Sequence, residues 1–272
     1  MNVRRRAYRS SFNEDLAMAL RISDFDAVTF DVYGTLIDWE PAIVDFLRHW
    51  SHRHGIDRQD IELLMVFDRA RAEIQRQRPA HLYPEVLRRC FDRLCRHFGV
   101  EASSEERDAF AAVPHTWPAY PDSHAGLVML QSHLKVGALS NIDNSSFESA
   151  CRRLDFTFDV VVTAERVGAY KPDRPHFDVA IAELEAFGIP PARILHVGQS
   201  LRADISPANK LGLKCVWINR PGRLLGLSGD GSNDAKPDLT VSTLSELVAV
   251  LTESARGYGR GGDPATAAGR CI

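Results

Sequence analysis

Residues 27–39 read AVTFDVYGTLIDW. An apolar, β-branched run from Ala27 to Phe30 delivers the carboxylate of Asp31 at its end, and Gly34 and Thr35 then mark a sharp turn. An acid at a strand's carboxyl tip carries meaning when the strand belongs to an open α/β sheet, because ligands bind beyond the carboxyl ends of such strands. The rest of the chain supplies that sheet. Short β-branched or apolar runs recur at Lys135–Ser140, Asp159–Thr163, Ile194–Gly198 and Cys215–Asn219, and more weakly at Leu239–Ser242, separated by helix-length segments. The pattern predicts βαβ units on a parallel sheet, a doubly wound α/β architecture.

One stretch breaks the rhythm. Between Pro41 and His115 there is no strand signal, and apolar residues fall at helical spacing in Ile61, Leu64 and Met65 and again in Val86, Leu87, Cys90, Phe91 and Leu94. A simple crossover takes a few tens of residues, fewer than this segment holds. Residues 41–115 are therefore expected to form an inserted helical cap, with residues 23–40 and 116–255 as the core. Residues 1–22 are mixed and polar and read as an N-terminal extension, and residues 256–272 turn to Gly, Ala and Arg and read as a flexible tail.

Composition narrows the classes. Of 272 residues, 44% are hydrophobic and 25% charged, as in globular proteins. With 33 Lys plus Arg against 36 Asp plus Glu, the chain has no global positive field for a phosphate backbone, and no nucleic-acid partner is expected. No run approaches the ~20 apolar residues of a membrane span, so no membrane partner is expected either. Five cysteines without a CxxC pair fit a reducing compartment, and the expected location is cytoplasmic.

The chemistry gathers at four strand ends. Asp31 follows the first strand; Ser140 and Asn141 end the second; "GAYKPD", with Lys171, follows the third; and "GQSLRAD", with Gln199, Ser200 and Asp204, follows the fourth. A single strand-end Asp is often only a cap. An acid, a hydroxyl with an amide, a lysine and a second acid at successive strand ends form a far more specific set.

These segments resemble the four motifs of the haloacid dehalogenase superfamily, over about Ala27 to Pro221. The resemblance implies a Rossmann-like parallel-sheet core with an inserted helical cap, and Asp31 as nucleophile. Most of that superfamily are magnesium-dependent phosphatases with a second Asp two residues after the nucleophile and an acid after the glycine of the fourth motif. Here those positions hold Tyr33 and Gln199. A tyrosine with a reference pKa of about 10 is a poor acid for an alkoxide leaving group at neutral pH, and a neutral amide weakens a site for Mg²⁺, which is bound through carboxylates. A halide leaves without a proton. "FDVYGTLID", "LSN" and "YKP" resemble the type II 2-haloacid dehalogenases, which implies a small-molecule 2-haloacid substrate, an aspartyl ester on Asp31, a 2-hydroxy acid product, and neither cofactor nor metal.

By the same resemblance Lys171 holds Asp31 ionised, Thr35 fixes its carboxylate, and Ser140 and Asn141 offer hydrogen bonds to the substrate. Asp204 orients Lys171 or activates water, two roles the sequence leaves open, and Tyr33 walls the pocket. Gln199 and Ser200 match the dehalogenase fourth motif loosely, because the spacing to Asp204 is the longer, phosphatase-like one. A tyrosine usual after the "KP" pair falls on Phe177. Arg69, Arg71, Arg76 and Arg78 on the inserted segment are candidate cations for carboxylate or halide, with Arg69 the choice made, and Trp39 a candidate apolar wall. His196 reads as a packed, hydrogen-bonded histidine, and Cys90 and Cys95 as small core residues. "NRPGR" after the fifth strand reads as a loop closing the core. A homodimer is common among the resembling proteins, though no patch of sequence specifies one. The alternatives are a magnesium-dependent phosphatase of small phosphorylated metabolites and a catalytically silent small-molecule-binding homologue.

Overall fold

The computed structural model describes residues 20–225 and 234–253. Six strands form one sheet, β1 Ala27–Phe30, β2 Lys135–Ser140, β3 Val160–Thr163, β4 Ile194–Gly198, β5 Lys214–Ile218 and β6 Leu239–Val241. Their order is β3-β2-β1-β4-β5-β6 and every pairing is parallel. All six expected runs are present, with ends displaced by about one residue, as hydrogen-bond boundaries usually are.

The central strand explains why this sequence reads so clearly. β1 pairs with β2 on one side and β4 on the other, and all four of its residues are buried. With both faces covered it needs an unbroken apolar run rather than an alternating one. Its side chains still alternate in direction: Val28 and Phe30 join one buried cluster, while Ala27 joins the second. The polar member, Thr29, meets the His196 ring, its Oγ1 lying 2.9 Å from Nδ1.

Four α-helices follow β1 between Glu40 and Ala112: α1 Glu40–Arg53, α2 Asp60–Gln75, α3 Tyr83–Phe98 and α4 Ser104–Ala112. In α3 the buried residues Val86, Leu87, Cys90, Phe91, Leu94 and Cys95 follow helical spacing. The larger buried cluster runs from one sheet face into this insertion, where Trp50, Phe67, Phe91 and Phe110 meet. The core helices are α5 Ser123–Gln131, α6 Asn144–Leu154, α7 Ala164–Val167, α8 Pro175–Ala186, α9 Ser206–Lys210 and α10 Leu244–Glu253.

Among the described residues no helix is long and apolar enough to cross a membrane. The extension expected over 1–22 is shorter at its inner edge: Leu20 is buried and Ile22 packs on the core, because both are apolar and adjoin β1. Residues 1–19 and the tail at 256–272 lie outside the described residues.

Candidate active site

In this strand order the chain winds outward in both directions from β1 and β4, so the crevice between their carboxyl ends is the topological switch point where α/β sheets bind ligands. Asp31 stands there: its backbone N–H still donates to the Val197 carbonyl at 2.9 Å, while its side chain leaves the strand's end. The turn after it is tight. Gly34 has φ +95°, and a Cβ there would lie 2.9 Å from Cγ of Gln199, so both backbone conformation and space call for glycine. The turn returns Thr35, whose hydroxyl donates to Asp31 Oδ2 at 2.7 Å.

Lys171 ties the strand ends together. Its Nζ donates to Asp31 Oδ1 at 3.0 Å, to Asp204 Oδ1 at 2.7 Å and to the Leu139 carbonyl at 2.6 Å. All three donors of the ammonium are thereby used, inside a site where Lys171 and Asp204 are almost fully enclosed. The remaining Asp204 oxygen, Oδ2, accepts from the Ser200 N–H at 3.0 Å. The wide turn Leu201–Ile205 that carries Asp204 begins with Ser200, whose Oγ accepts from the Ala203 N–H. A Cβ on Gly198 would lie 2.5 Å from Cβ of Asp204; the bare backbone at the end of β4 lets the carboxylate fold back over the strand.

Burial raises the Asp31 carboxyl, Asp204 nearby adds to this, and Lys171 and Thr35 offset only part of it, leaving it at about 6. Burial acts on Asp204 in the same sense, but the Lys171 ammonium and the His196 ring outweigh it and bring it to about 2. For Lys171 burial favours the neutral amine, and the two carboxylates outweigh burial, so its pKa is raised and it stays ammonium. His196, 3.8 Å from Asp204, is driven toward the neutral form by burial. It is the packed histidine expected, and Phe177 lies edge-on to it at 4.9 Å.

The predicted residues Tyr33, Gln199 and Ser200 line the cavity over Asp31, while several side chains find partners other than those expected. The Asn141 amide lines the cavity but grips the backbone of Lys171, accepting from its N–H at 2.7 Å and donating to its carbonyl at 3.2 Å. Ser140 Oγ is buried without a hydrogen-bond partner and is not on the cavity wall. The Gln199 carboxamide accepts from Arg223, and its backbone carbonyl accepts from Trp217. Trp39 is buried behind the wall rather than in it, with the Arg71 guanidinium 5.1 Å above its ring. The Tyr33 hydroxyl donates to the Ser146 carbonyl at 3.1 Å, and burial raises its pKa well above the usual phenol value.

A cavity of about 350 Å³ opens over Asp31, Lys171 and Asp204, and α2 of the insertion forms its far wall. Arg69, the choice from sequence, lines it but is exposed; Arg71 is more deeply set, paired with Asp68, and stacked on Trp39 and Phe67. Two arginines escaped the sequence reading. Arg202 lines the cavity from the core side. Arg220, in the "NRPGR" loop, donates through Nε and Nη2 to the Thr35 carbonyl at 3.1 and 2.8 Å while Nη1 holds Asp122, which fixes the turn behind Asp31.

A family model described as haloacid dehalogenase-like hydrolase matches residues 25–212. The chain belongs to the haloacid dehalogenase-like hydrolases. Among relatives of these hydrolases, a glyceraldehyde 3-phosphate phosphatase of Methanopyrus kandleri is 29% identical, over 85% of this chain and 98% of that protein. (S)-2-haloacid dehalogenase 1 of a Pseudomonas species is 25% identical, over 71% of this chain and 84% of the other. The chain spans about half the length of several other curated relatives it matches. The L-2-haloacid dehalogenase of Xanthobacter autotrophicus superposes with a TM-score of 0.69 at 21% identity, covering 86% of this chain and all of that one, a likeness of fold.

Proposed function

We propose that this hydrolase dehalogenates short 2-haloalkanoic acids, with Asp31 as nucleophile and the inserted helices as a cap over it. The observation that carries the reading is the buried trio in which Lys171 occupies the space between Asp31 and Asp204. Phosphatases of the family use Mg²⁺ at the corresponding carboxylates, and the donor set here does not fit that ion. Both Oδ1 atoms accept from Lys171, and the two Oδ2 atoms accept from Thr35 and Ser200. The oxygen of Gln199, a neutral ligand at best, faces Arg223. The mismatch is one of charge: the Lys171 ammonium already lies between the two acids, and a neutral amide stands where a further carboxylate would help gather Mg²⁺.

In the first step a carboxylate oxygen of Asp31 bonds to the α-carbon as the carbon–halogen bond breaks, and the halide leaves with the bonding pair. No proton is needed, which suits a site where Tyr33 is a buried donor to a backbone carbonyl. Water then adds to the ester carbonyl. The acyl C–O bond breaks, the 2-hydroxy acid departs with the oxygen Asp31 supplied, the water oxygen enters Asp31, and one proton is released per turnover. Lys171 balances charge at the carbonyl through both steps. Asp204, held at about 2, is a weak base; its contacts make it a positioning residue for Lys171.

The decisive experiment incubates EDTA-treated protein with chloroacetate, bromoacetate and both enantiomers of 2-chloropropionate, following halide release and intact mass. Halide release indifferent to chelation, with a covalent adduct on Asp31, is the expected result. Magnesium-dependent phosphate release from phosphorylated metabolites, without halide release, would replace this reading with the phosphatase one that the Methanopyrus relative favours. Stabilisation by the acids without turnover would leave a binding protein.

The pH profile has a fixed sign. The carboxylate is the reactive form and the protonated acid is inert, so kcat/KM should fall below pH 6, where Asp31 takes up its proton, by about tenfold per pH unit. A flat profile down to pH 4 would remove Asp31 as the titrating nucleophile.

A further inference from the structure

The cavity presents more guanidinium groups than a monoanionic haloacid contacts. At its floor, Asp31, Asp204 and Lys171 together carry one net negative charge when ionised, which repels an anion. Arg69, Arg71 and Arg76 line the opposite wall and Arg202 the core side, and the other acids lining the cavity are Asp68 and Glu73. Both acids are engaged: Asp68 pairs with Arg71, and Glu73 turns outward to Arg93 of α3. Among the described residues, the guanidiniums of Arg69, Arg76 and Arg202 make no hydrogen bond or ion pair, and Arg71 Nε is buried without a partner.

These groups come from two sides. Arg71 and Arg76 project from α2 and its end, and Arg202 rises from the turn that carries Asp204. They are close enough to repel one another: burial first, then Arg71 and Arg76, lowers the pKa of Arg202. Like charges held together in a half-buried pocket, where Arg71 has a counterion but Arg76 and Arg202 do not, are costly to the fold unless an anion joins them. The α-carboxylate and the departing halide of a simple haloacid account for two of the cations. The volume also exceeds what a two- or three-carbon acid fills, since a cavity of about 350 Å³ falls within the range of sites for considerably larger ligands.

We infer that Arg76 and Arg202, with Arg71 behind them, form a second anion subsite that takes the distal carboxylate of a 2-halodicarboxylic acid. The inference rests on the dehalogenation reading for its halogen but not for its anion. Guanidinium forks suit a planar carboxylate through paired N–H donors, and a substrate anchored at both ends would hold its α-carbon over Asp31.

The test reads binding apart from chemistry. On the full-length protein at low ionic strength, calorimetric Kd values for succinate, propionate and inorganic phosphate are compared, followed by kcat/KM for 2-bromosuccinate and 2-bromopropionate. Succinate should bind about tenfold or more tightly than propionate, with an advantage that shrinks as salt rises. Arg202→Gln and, separately, the exposed Arg76→Gln should each narrow the ratio at least threefold; the second variant covers the case in which the first does not fold. Equal Kd values for succinate and propionate overturn the subsite, as does a succinate advantage that neither variant changes. Phosphate binding more tightly than succinate overturns it in favour of a phosphorylated ligand. A succinate preference without halide release from any acid would retain the subsite and sink the proposed reaction. Halide release without that preference would do the reverse.

Discussion

Asp31→Asn should lower halide release by about 10⁴-fold or more, as removal of a nucleophile commonly does, and the adduct on residue 31 should disappear. The loss should come without a loss of fold. Asparagine keeps the volume and an oxygen to accept from Lys171, and Asp204 still pairs with the ammonium at 2.7 Å. Stability should move the other way. The folded Asp31 carboxyl lies at about 6, above its ordinary value of 3.8, so its contribution to stability is fully present below the ordinary value and is lost as pH rises through 6. Above that pH the protein holds a charge that burial disfavours, and the asparagine variant does not. Its melting temperature should therefore equal or exceed that of the parent at pH 7 to 8, with the difference closing toward pH 4. Such a trade of stability for reactivity is usual where a site needs a strained or desolvated group. An Asp31→Asn protein that still turns over, once deamidation back to aspartate is ruled out by mass, would end the proposal for this residue.

The sheet was legible because its inner strands are covered on both faces and cannot hide their apolar runs among polar residues. The strand tips followed, since the first polar residues after such a run must lie at the carboxyl end. Thus Asp31, Lys171 and Asp204 could be brought together from sequence, although 140 residues separate the first two. The direction of the amides was not legible in the same way. Asn141 turns to the Lys171 backbone and Gln199 to Arg223, partners that only the folded chain brings near. Arg220 was hidden for the same reason: it reaches across 185 residues to the Thr35 carbonyl.

The choice among the arginines of α2 did carry a signal. Phe67 lies on the buried stripe of α2, and Arg71, four residues on, shares its face. Arg69, two residues on, is turned to the opposite side. Spacing from Phe67 thus favours Arg71 as the deeper group, which is where its stacking on Phe67 and Trp39 puts it. Arg202 could have been noticed from its place between Ser200 and Asp204, in the turn that follows the fourth strand's carboxyl end.

The second large effect is expected for Lys171→Met. Methionine fills much of the same channel but removes the ammonium from Asp31, Asp204 and the Leu139 carbonyl together. Two buried carboxylates then face each other with no cation between them, a loss of the kind that costs about 3–5 kcal/mol when one partner of a buried pair is deleted. The system can relieve this by binding a proton. Of the groups that lower the two acids against burial, Lys171 acts most strongly on both, so without it Asp31 should rise above 6 and become mostly neutral at pH 7. Halide release at pH 7 should fall by about 10²-fold or more, and the acid limb of kcat/KM should move to higher pH. Stability should change in step: the variant should melt closest to the parent near pH 5, where one carboxylate can be protonated, and fall further behind as pH approaches 8. A structural role alone for Lys171 would lower the melting temperature and the amount of active protein but leave the acid limb where it was. The position of that limb in Lys171→Met therefore decides whether the ammonium tunes the nucleophile or only holds the strand ends together.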